Sequence, residues 1–214
     1  MHDNETLVHH HFENAEQQKE AVSLGMWSFL ATEVLFFGGV FMAYIVYRTL
    51  YHEAFVEASK NMDIMLGGVN TAVLLSSSLM MALAVNASHE GRRQATTVFL
   101  ALTIALGLVF FGVKAFEYHH KWVEHLVPGL NWQYEGHDAG HAELFFILYF
   151  ILTGIHAIHM VIGVGIMLVL IVMNQRGKFS KAYNAPIEVS GLYWHFVDIV
   201  WIFLYPLLYL LKGH

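Results

Sequence analysis

The sequence predicts an all-α integral membrane protein built as one bundle of five transmembrane helices. Hydrophobic residues make up 57% of the 214 residues and charged residues only 13%, against about 25% charged residues in soluble proteins. The mean hydropathy is +0.50. Five apolar blocks carry this composition, and each can cross a bilayer, which takes about 20 helical residues. The blocks cover approximately residues 23–48, 66–87, 95–118, 143–173 and 190–212.

The charges between the blocks predict how the bundle is oriented. Lys and Arg are more numerous on the side that holds the N-terminal tail, 88–94 and 174–189 than on the side of 49–65, 119–142 and the C-terminus. The positive-inside rule therefore predicts a cytoplasmic N-terminus and a periplasmic C-terminus. Residues 1–22 form a polar, acidic tail without the basic start, apolar core or cleavage site of a signal peptide.

Composition also excludes several functional classes. A net charge of −6 without a basic cluster argues against binding of nucleic acid. The absence of cysteine excludes disulfides, thiolate metal sites and thiol nucleophiles. No metalloprotease, phosphate-loop, nucleophile-elbow or dinucleotide motif is present, so we expect no catalytic residue. The 15 histidines, including the run His9, His10 and His11, raise the question of a haem or metal site.

The last apolar block has polar and aromatic residues where a simple anchor would have Leu, Ile or Val. Trp194 and Asp198 are four positions apart and His195 and Asp198 three apart, so the three share one helical face. An Asp inside the membrane costs about 2.5–3.5 kcal/mol on insertion scales, so it needs a partner or a purpose. We expect His195 and Asp198 to form a structural polar pair and Trp194 to hydrogen-bond to another helix.

Two other blocks contain ionisable residues. Glu33 stands alone among apolar neighbours in the first block. It is either an acid hydrogen-bonded across a helix interface, or a proton relay or lipid contact, because intramembrane acids are often functional. Lys114 and Glu117 lie three positions apart at the end of the third block and can neutralise each other. We expect a structural ion pair there rather than transport chemistry.

Histidines in the fourth block and in the preceding loop are candidate ligands. His156 and His159 share a stripe of polar and small residues. A haem normally takes ligands from two facing helices, so we expect both histidines to hydrogen-bond between helices, worth about 1 kcal/mol each. In the loop, His137 and His141 have a spacing that metal sites use on helices, but Gly136 and Gly140 argue against a helix there. We therefore predict no metal site.

Four segments together resemble a known family. They are ATEVLFFGG around Glu33, KAFEY from Lys114, TGIHAIHMVIG from Thr153 and YWHFVDIVWIFLYP from Tyr193. In this order they are similar to subunit III of the haem-copper oxidases, the cytochrome c oxidase subunit 3 family. The resemblance touches four of the five blocks and so covers nearly the whole chain. The long form of the family has seven spans, and this chain resembles the short bacterial form, which lacks the first two.

The resemblance implies an accessory role in an oxygen-reducing, proton-translocating terminal oxidase of aerobic respiration. Haem and copper are then expected in partner subunits I and II, with no redox centre in this chain, and cytochrome c or quinol donates electrons to the complex. Glu33 matches the family's buried acid beside bound phospholipid. The implied tasks are to brace the catalytic subunit, hold lipid, sustain proton uptake and protect the active site. The implied location is the bacterial inner membrane.

Other interpretations remain open on the sequence. A quinol oxidase has a subunit III of the same short form, and a similar partner of nitric oxide reductase is more distant. From other classes, the histidines are compatible with a haem-binding membrane anchor. Glu33 with the Lys114–Glu117 pair is compatible with a small transporter, although the sequence shows no inverted repeat.

Overall fold

The computed structural model describes residues 15–134, 136, 138–179 and 183–210. In these residues the chain forms helices and no β-strand. The prediction of an all-α bundle with five spanning helices is confirmed, because five helices are long and apolar enough to cross a membrane. The helices are α1 (Ala15–Leu50), α2 (His52–Ser59), α3 (Ile64–His89), α4 (Arg93–Val123), α5 (Ala139–Gln175) and α6 (Ala185–Tyr209).

Helix α2 was not expected, since residues 49–65 read as a polar loop. Its sequence HEAFVEAS places Ala54, Phe55 and Ala58 on one side, and all three are buried. This apolar face packs mainly against α5. A segment too short and polar to span a membrane can still form a helix when one face is covered. The end of the bundle that holds α2 is called the α2 end below.

The domain boundary after residue 22 stays a prediction. Helix α1 already begins at Ala15, so the last part of the predicted tail continues the first spanning helix. The His9–His11 run and residues 211–214 lie outside the described residues, as does His137.

Sharp turns make α3 and α4 an antiparallel hairpin. Gly91 has φ 73°, a left-handed conformation that glycine adopts without steric cost. The Arg92 amide donates to the Ala87 carbonyl at 2.9 Å, which closes the end of α3 in the manner of a helix C-cap. At the other end, the Asp63 carboxylate accepts from the Leu66 amide at 3.0 Å and caps the start of α3.

Trp194 lies at the centre of the interface between α4, α5 and α6. Cβ atoms added at Gly107 and Gly163 would lie 3.3 Å and 2.8 Å from its ring, so both glycines permit the close approach. Small residues serve this purpose where helices pack in a membrane. The Trp194 indole N–H donates to Ser77 Oγ of α3 at 3.2 Å. The fully buried indole thus contacts the three other central helices.

Helix α1 is packed more loosely than the others. Of its most apolar 18-residue stretch only 17% of the residues are buried, against 50% in α6. Tyr44 donates to the Leu207 carbonyl at 2.6 Å and ties α1 to the end of α6. Leu35 is 77% exposed. The core is therefore α3, α4, α5 and α6, with α1 along one side.

Candidate functional site

The Lys114–Glu117 pair is buried and hydrogen-bonded on every side. Lys114 Nζ donates to Glu117 Oε2 at 3.0 Å, to Tyr209 Oη at 2.9 Å and to Tyr149 Oη at 3.1 Å. Both tyrosines donate in turn to Glu117 Oε1, Tyr149 at 2.9 Å and Tyr209 at 2.5 Å. The Trp201 ring lies 5.0 Å from Nζ. All three ammonium protons are used, so the cluster joins α4 to α5 and α6.

A second charged pair follows one heptad further along α4. Lys121 Nζ donates to Glu124 Oε2 and to the Asn61 carbonyl, both at 2.6 Å. His120 Nε2 lies 3.1 Å from Glu124 Oε1. The sequence reasoning missed this pair, although K-x-x-E recurs after seven residues, at 114–117 and 121–124. Residues seven apart lie on the same face of a helix, so the repeat could have revealed a charged stripe.

Glu33 and His159 form a polar contact between the spanning helices α1 and α5. His159 Nε2 lies 3.0 Å from Glu33 Oε2, and Nδ1 lies 2.9 Å from the Ile155 carbonyl. A carbonyl oxygen only accepts, so Nδ1 carries a proton. The contact is partly open, with 14% of the His159 and 18% of the Glu33 side chain exposed.

A cavity of about 460 Å³ opens beside this contact, between α1, α5 and α6. Its walls are mainly apolar, with Met26 and Phe29 from α1 facing Ile162 and Ile166 from α5. Glu33 and His159 lie at its end near the middle of the helices, and three residues of α6 complete the lining: Val189, Ser190 and Tyr193. This shape suits an apolar chain that meets a polar group at one end.

The predicted bond between His195 and Asp198 is absent, although both residues are described. His195 Nδ1 instead lies 2.7 Å from Ser78 Oγ on α3. Asp198 is 2% exposed, and neither of its oxygens meets the geometry of a hydrogen bond, although Ser78 is its neighbour. The reason is geometric: the serine of α3 gives the imidazole a partner on another helix. Ser78 was not identified from the sequence.

His156, unlike His159, makes no hydrogen bond in the described structure. It is 1% exposed and neither ring nitrogen has a hydrogen-bond partner, so the interhelical hydrogen bond expected of it is not formed. Its ring packs against Phe110 with 5.6 Å between centroids and against Trp201 with 5.2 Å. His156 therefore acts in the described bundle as a packing residue between α4, α5 and α6. The expected bond of Trp194 to another helix is formed, to Ser77.

The loop histidine at the start of α5 belongs to a helix cap. His141 Nδ1 lies 2.7 Å from Asp138 Oδ2, and the imidazole stacks on Tyr51 with 3.7 Å between centroids. Hydrogen bonding from His141 lowers the pKa of the exposed Asp138 carboxyl group. Burial raises the pKa of Tyr134 in the same loop. Among the described residues no three His, Cys, Asp or Glu side chains are grouped so that they could hold a metal ion.

Comparison with known proteins gives a consistent result. The model of the family described as "Cytochrome c oxidase subunit III" matches residues 2–212. A cytochrome c oxidase subunit 3 of Synechocystis sp. is 33% identical over 190 residues, 87% of this chain and 74% of the relative. One of Corynebacterium diphtheriae is 32% identical over 193 residues, 89% and 88% of the two chains. A cytochrome bo(3) ubiquinol oxidase subunit 3 of Pseudomonas aeruginosa is 29% identical over 205 residues, 95% and 91%.

Proposed function

Because the chain belongs to the cytochrome c oxidase subunit III family, we propose that it is an accessory core subunit of a proton-translocating haem-copper oxidase. In this role it binds to subunits I and II, stabilises the catalytic subunit and holds phospholipid beside it. It carries no redox centre and no catalytic residue of its own. Haem and copper belong to the partner subunits. Electrons reach the complex from cytochrome c or quinol.

The observation that carries the lipid-binding part is the cavity that ends at Glu33 and His159. Its apolar walls lie within the spanning helices and it opens along the loosely packed helix α1. An acyl chain fits such walls, because burying apolar surface is favourable at about 25 cal/mol per Å². The Glu33–His159 contact fixes α1 to α5 at the end of the cavity. We propose that this acid positions α1 so that the cavity stays open to lipid.

The intramembrane histidines support the absence of a redox centre. His159 uses both ring nitrogens, one on Ile155 and one on Glu33. His195 Nδ1 is engaged by Ser78, and His156 is enclosed by aromatic rings of α4 and α6. Ligation of a haem by two histidines would require two ring nitrogens that face each other from different helices. The three histidines have separate surroundings, which favours packing and hydrogen-bonding roles.

A cavity-filling substitution tests the lipid-binding proposal. Ile162→Trp places a large ring in the cavity wall, and Ile158→Trp, at an exposed position of the same helix outside the lining, is the matched control. We expect the Ile162 variant complex to lose bound phospholipid, counted by mass spectrometry after purification in mild detergent. Haem content and subunit content should equal those of the control. Equal lipid content in both variants would contradict the proposal.

Orientation in the membrane is part of the same proposal. Arg92, Arg93, Arg176 and Lys178 lie at the end opposite to α2, and their charge supports a cytoplasmic position for that end and for the N-terminus. Because the chain has no cysteine, single cysteines at Arg92 and at Lys60 can be labelled separately. A membrane-impermeant maleimide added to spheroplasts of a bacterial host should label the Lys60→Cys variant only. Labelling of the Arg92→Cys variant alone would show that the orientation is the opposite of the one proposed.

A quinol oxidase is the second candidate for the whole complex. The Pseudomonas aeruginosa relative is named as a subunit of a ubiquinol oxidase and matches 95% of this chain. The donor is set by subunit II, which has a copper-binding soluble domain only when cytochrome c is the donor. Oxygen consumption by the purified complex with reduced cytochrome c or with a quinol separates the two candidates.

A further inference from the structure

A second cavity lies at the α2 end of the bundle, away from Glu33. It has a volume of about 370 Å³ and lies between the corner that joins α2 to α3 and the last turns of α4. Phe116, which contributes to its wall, is 65% exposed on the side of α4. Trp122 on the same helix is 50% exposed, as expected for an aromatic residue at a membrane interface. The cavity therefore opens where acyl chains meet headgroups.

The lining contains charges of both signs, and most of them are already paired. Lys121 and His120 contact Glu124, and Glu117 is bonded to Lys114. Among the lining residues, all of which are described, Lys60 and Asp63 have no ion pair. Asp63 uses one oxygen to cap α3. The cavity thus presents one free ammonium group and one free carboxylate group.

Lys121 provides a further donor inside the cavity. Its side chain is only 3% exposed, and its ammonium group bonds to two acceptors, the Asn61 carbonyl and Glu124. An ammonium group has three donors, so one N–H remains for a ligand. A buried cation with spare hydrogen-bonding capacity is a binding group for an anionic oxygen.

We propose that this cavity binds the headgroup of a zwitterionic phospholipid that carries a primary amine. Lys60 and the remaining N–H of Lys121 hold the phosphate, and Asp63 accepts from the amine. The apolar part of the wall, Met62, Leu66 and Phe116, contacts the start of the acyl chains. In the orientation proposed above this lipid belongs to the outer leaflet. The site is separate from the Glu33 cavity, and its existence does not depend on the oxidase assignment.

Charge complementarity selects this ligand over similar ones. The carboxylates Asp63, Glu117 and Glu124 balance the ammonium groups of Lys60, Lys121 and Lys114, which lies behind Glu117. The lining therefore does not attract a free phosphate dianion or an anionic lipid. A phosphatidylcholine presents a quaternary ammonium group without an N–H donor, so it cannot hydrogen-bond to Asp63. We expect phosphatidylethanolamine to bind best, phosphatidylcholine less well and phosphatidylglycerol least.

Two conservative variants separate the two halves of the site. Asp63→Asn removes the charge but keeps a good helix N-cap, and Lys60→Gln removes the charge of an exposed side chain but keeps a hydrogen-bond donor. Losing one charge-assisted hydrogen bond weakens binding by about tenfold or more. We expect Asp63→Asn to abolish the preference for phosphatidylethanolamine over phosphatidylcholine. Lys60→Gln should weaken binding of all three phospholipids alike.

The experiment is native mass spectrometry of the purified complex that contains this chain, titrated with each phospholipid in detergent. Arg92→Gln, which changes a charge at the opposite end, is the control and should bind like the wild type. Retention of the lipid preference in Asp63→Asn, or unchanged binding in Lys60→Gln, would overturn the proposal. Displacement of the lipid by free phosphorylethanolamine at equal concentration would show that a soluble ligand suffices and would also overturn it.

Discussion

Two of the acids within the spanning helices, Glu117 and Glu33, are held in opposite ways. Glu117 lies in the packed core, where one ammonium and two phenol groups surround it and 3% of the residue is exposed. Glu33 has one partner, His159, and borders an open cavity beside the loosely packed helix α1. A charge with every bond made stabilises one arrangement of helices. A carboxyl group with one partner and an open side is accessible to a ligand.

The difference separates the bundle into two regions. In the α4–α5–α6 region, glycines allow the Trp194 ring to approach, and the Lys114–Glu117 pair has all its hydrogen bonds made. Along α1, positions 38 and 39 are glycines with nothing within 4 Å of an added Cβ. We therefore expect substitutions in the first region to affect assembly and substitutions in the second to affect lipid content.

The largest expected effect comes from breaking the Lys114–Glu117 pair on one side. Lys114→Met leaves the Glu117 carboxylate buried without its cation, which costs about 3–5 kcal/mol. We expect the subunit to be lost from the complex, as measured by its content after purification. The double variant Lys114→Met with Glu117→Leu leaves no buried charge and should recover much of the subunit content. If Lys114→Met alone keeps full content, the core region does not depend on this pair.

A smaller effect is expected from a methyl group beside Trp194. Gly163→Ala would place Cβ 2.8 Å from the indole ring, and overpacking of this kind costs about 1–3 kcal/mol. Gly165→Ala, two residues away in the same helix, meets nothing within 4 Å and is the matched control. Thermal unfolding of the complex is monitored as the release of this subunit. The release should begin at a lower temperature for Gly163→Ala only. Equal unfolding curves for the two variants would show that the interface around Trp194 accommodates the methyl group without loss of stability.

Glu33→Gln is expected to change stability less than either of these substitutions. Glutamine can still hydrogen-bond to His159 Nε2, so the contact between α1 and α5 keeps its geometry without an ionisable group on α1. We expect subunit content and the reduced-minus-oxidised haem spectrum of the complex to stay as in the wild type. Loss of the haem signal in this variant would contradict an accessory role for the chain.

The smallest effect concerns pH and lies outside the membrane. Hydrogen bonding from His141 lowers the pKa of Asp138 below its usual range, so the folded state favours the carboxylate. The bond between the ionised Asp138 carboxylate and His141 stabilises the folded state above about pH 4. This contribution is lost as the pH falls through the lowered pKa. Asp138→Asn keeps an N-cap and should remove this part of the acid dependence. Unfolding temperatures of both proteins between about pH 5 and pH 3 would show the difference.

Much of the fold could be predicted from the sequence because long apolar blocks allow few alternatives in a bilayer. The five spans were correct; each helix begins before its apolar block, and the first four also end beyond it. Helix α2 was missed because its burial depends on contact with α5, and such a contact has no signature in a short, mixed sequence. The spacing of Lys114 and Glu117 sufficed to predict their contact, since both lie on one helix.

Contacts between helices were harder to predict than contacts within one. The partners Tyr149, Tyr209, Ser78 and the cavity beside Glu33 are brought together by packing of different helices. Spacing along α6 suggested a bond between His195 and Asp198, and a serine of α3 takes its place. Asp198 shows the limit most clearly, because nothing in the sequence indicates that its carboxyl group is buried beside Ser78 of another helix.

The most direct test of the proposed function is an optical spectrum of the complex before and after this chain is removed. The complex would be purified from its native membrane in mild detergent, and its subunits would be identified. Reduced-minus-oxidised spectra would then be recorded for the stripped complex and for the isolated chain. An accessory subunit predicts that all haem stays with the partner subunits and that the isolated chain is colourless. A haem band that remains with the isolated chain would contradict this function.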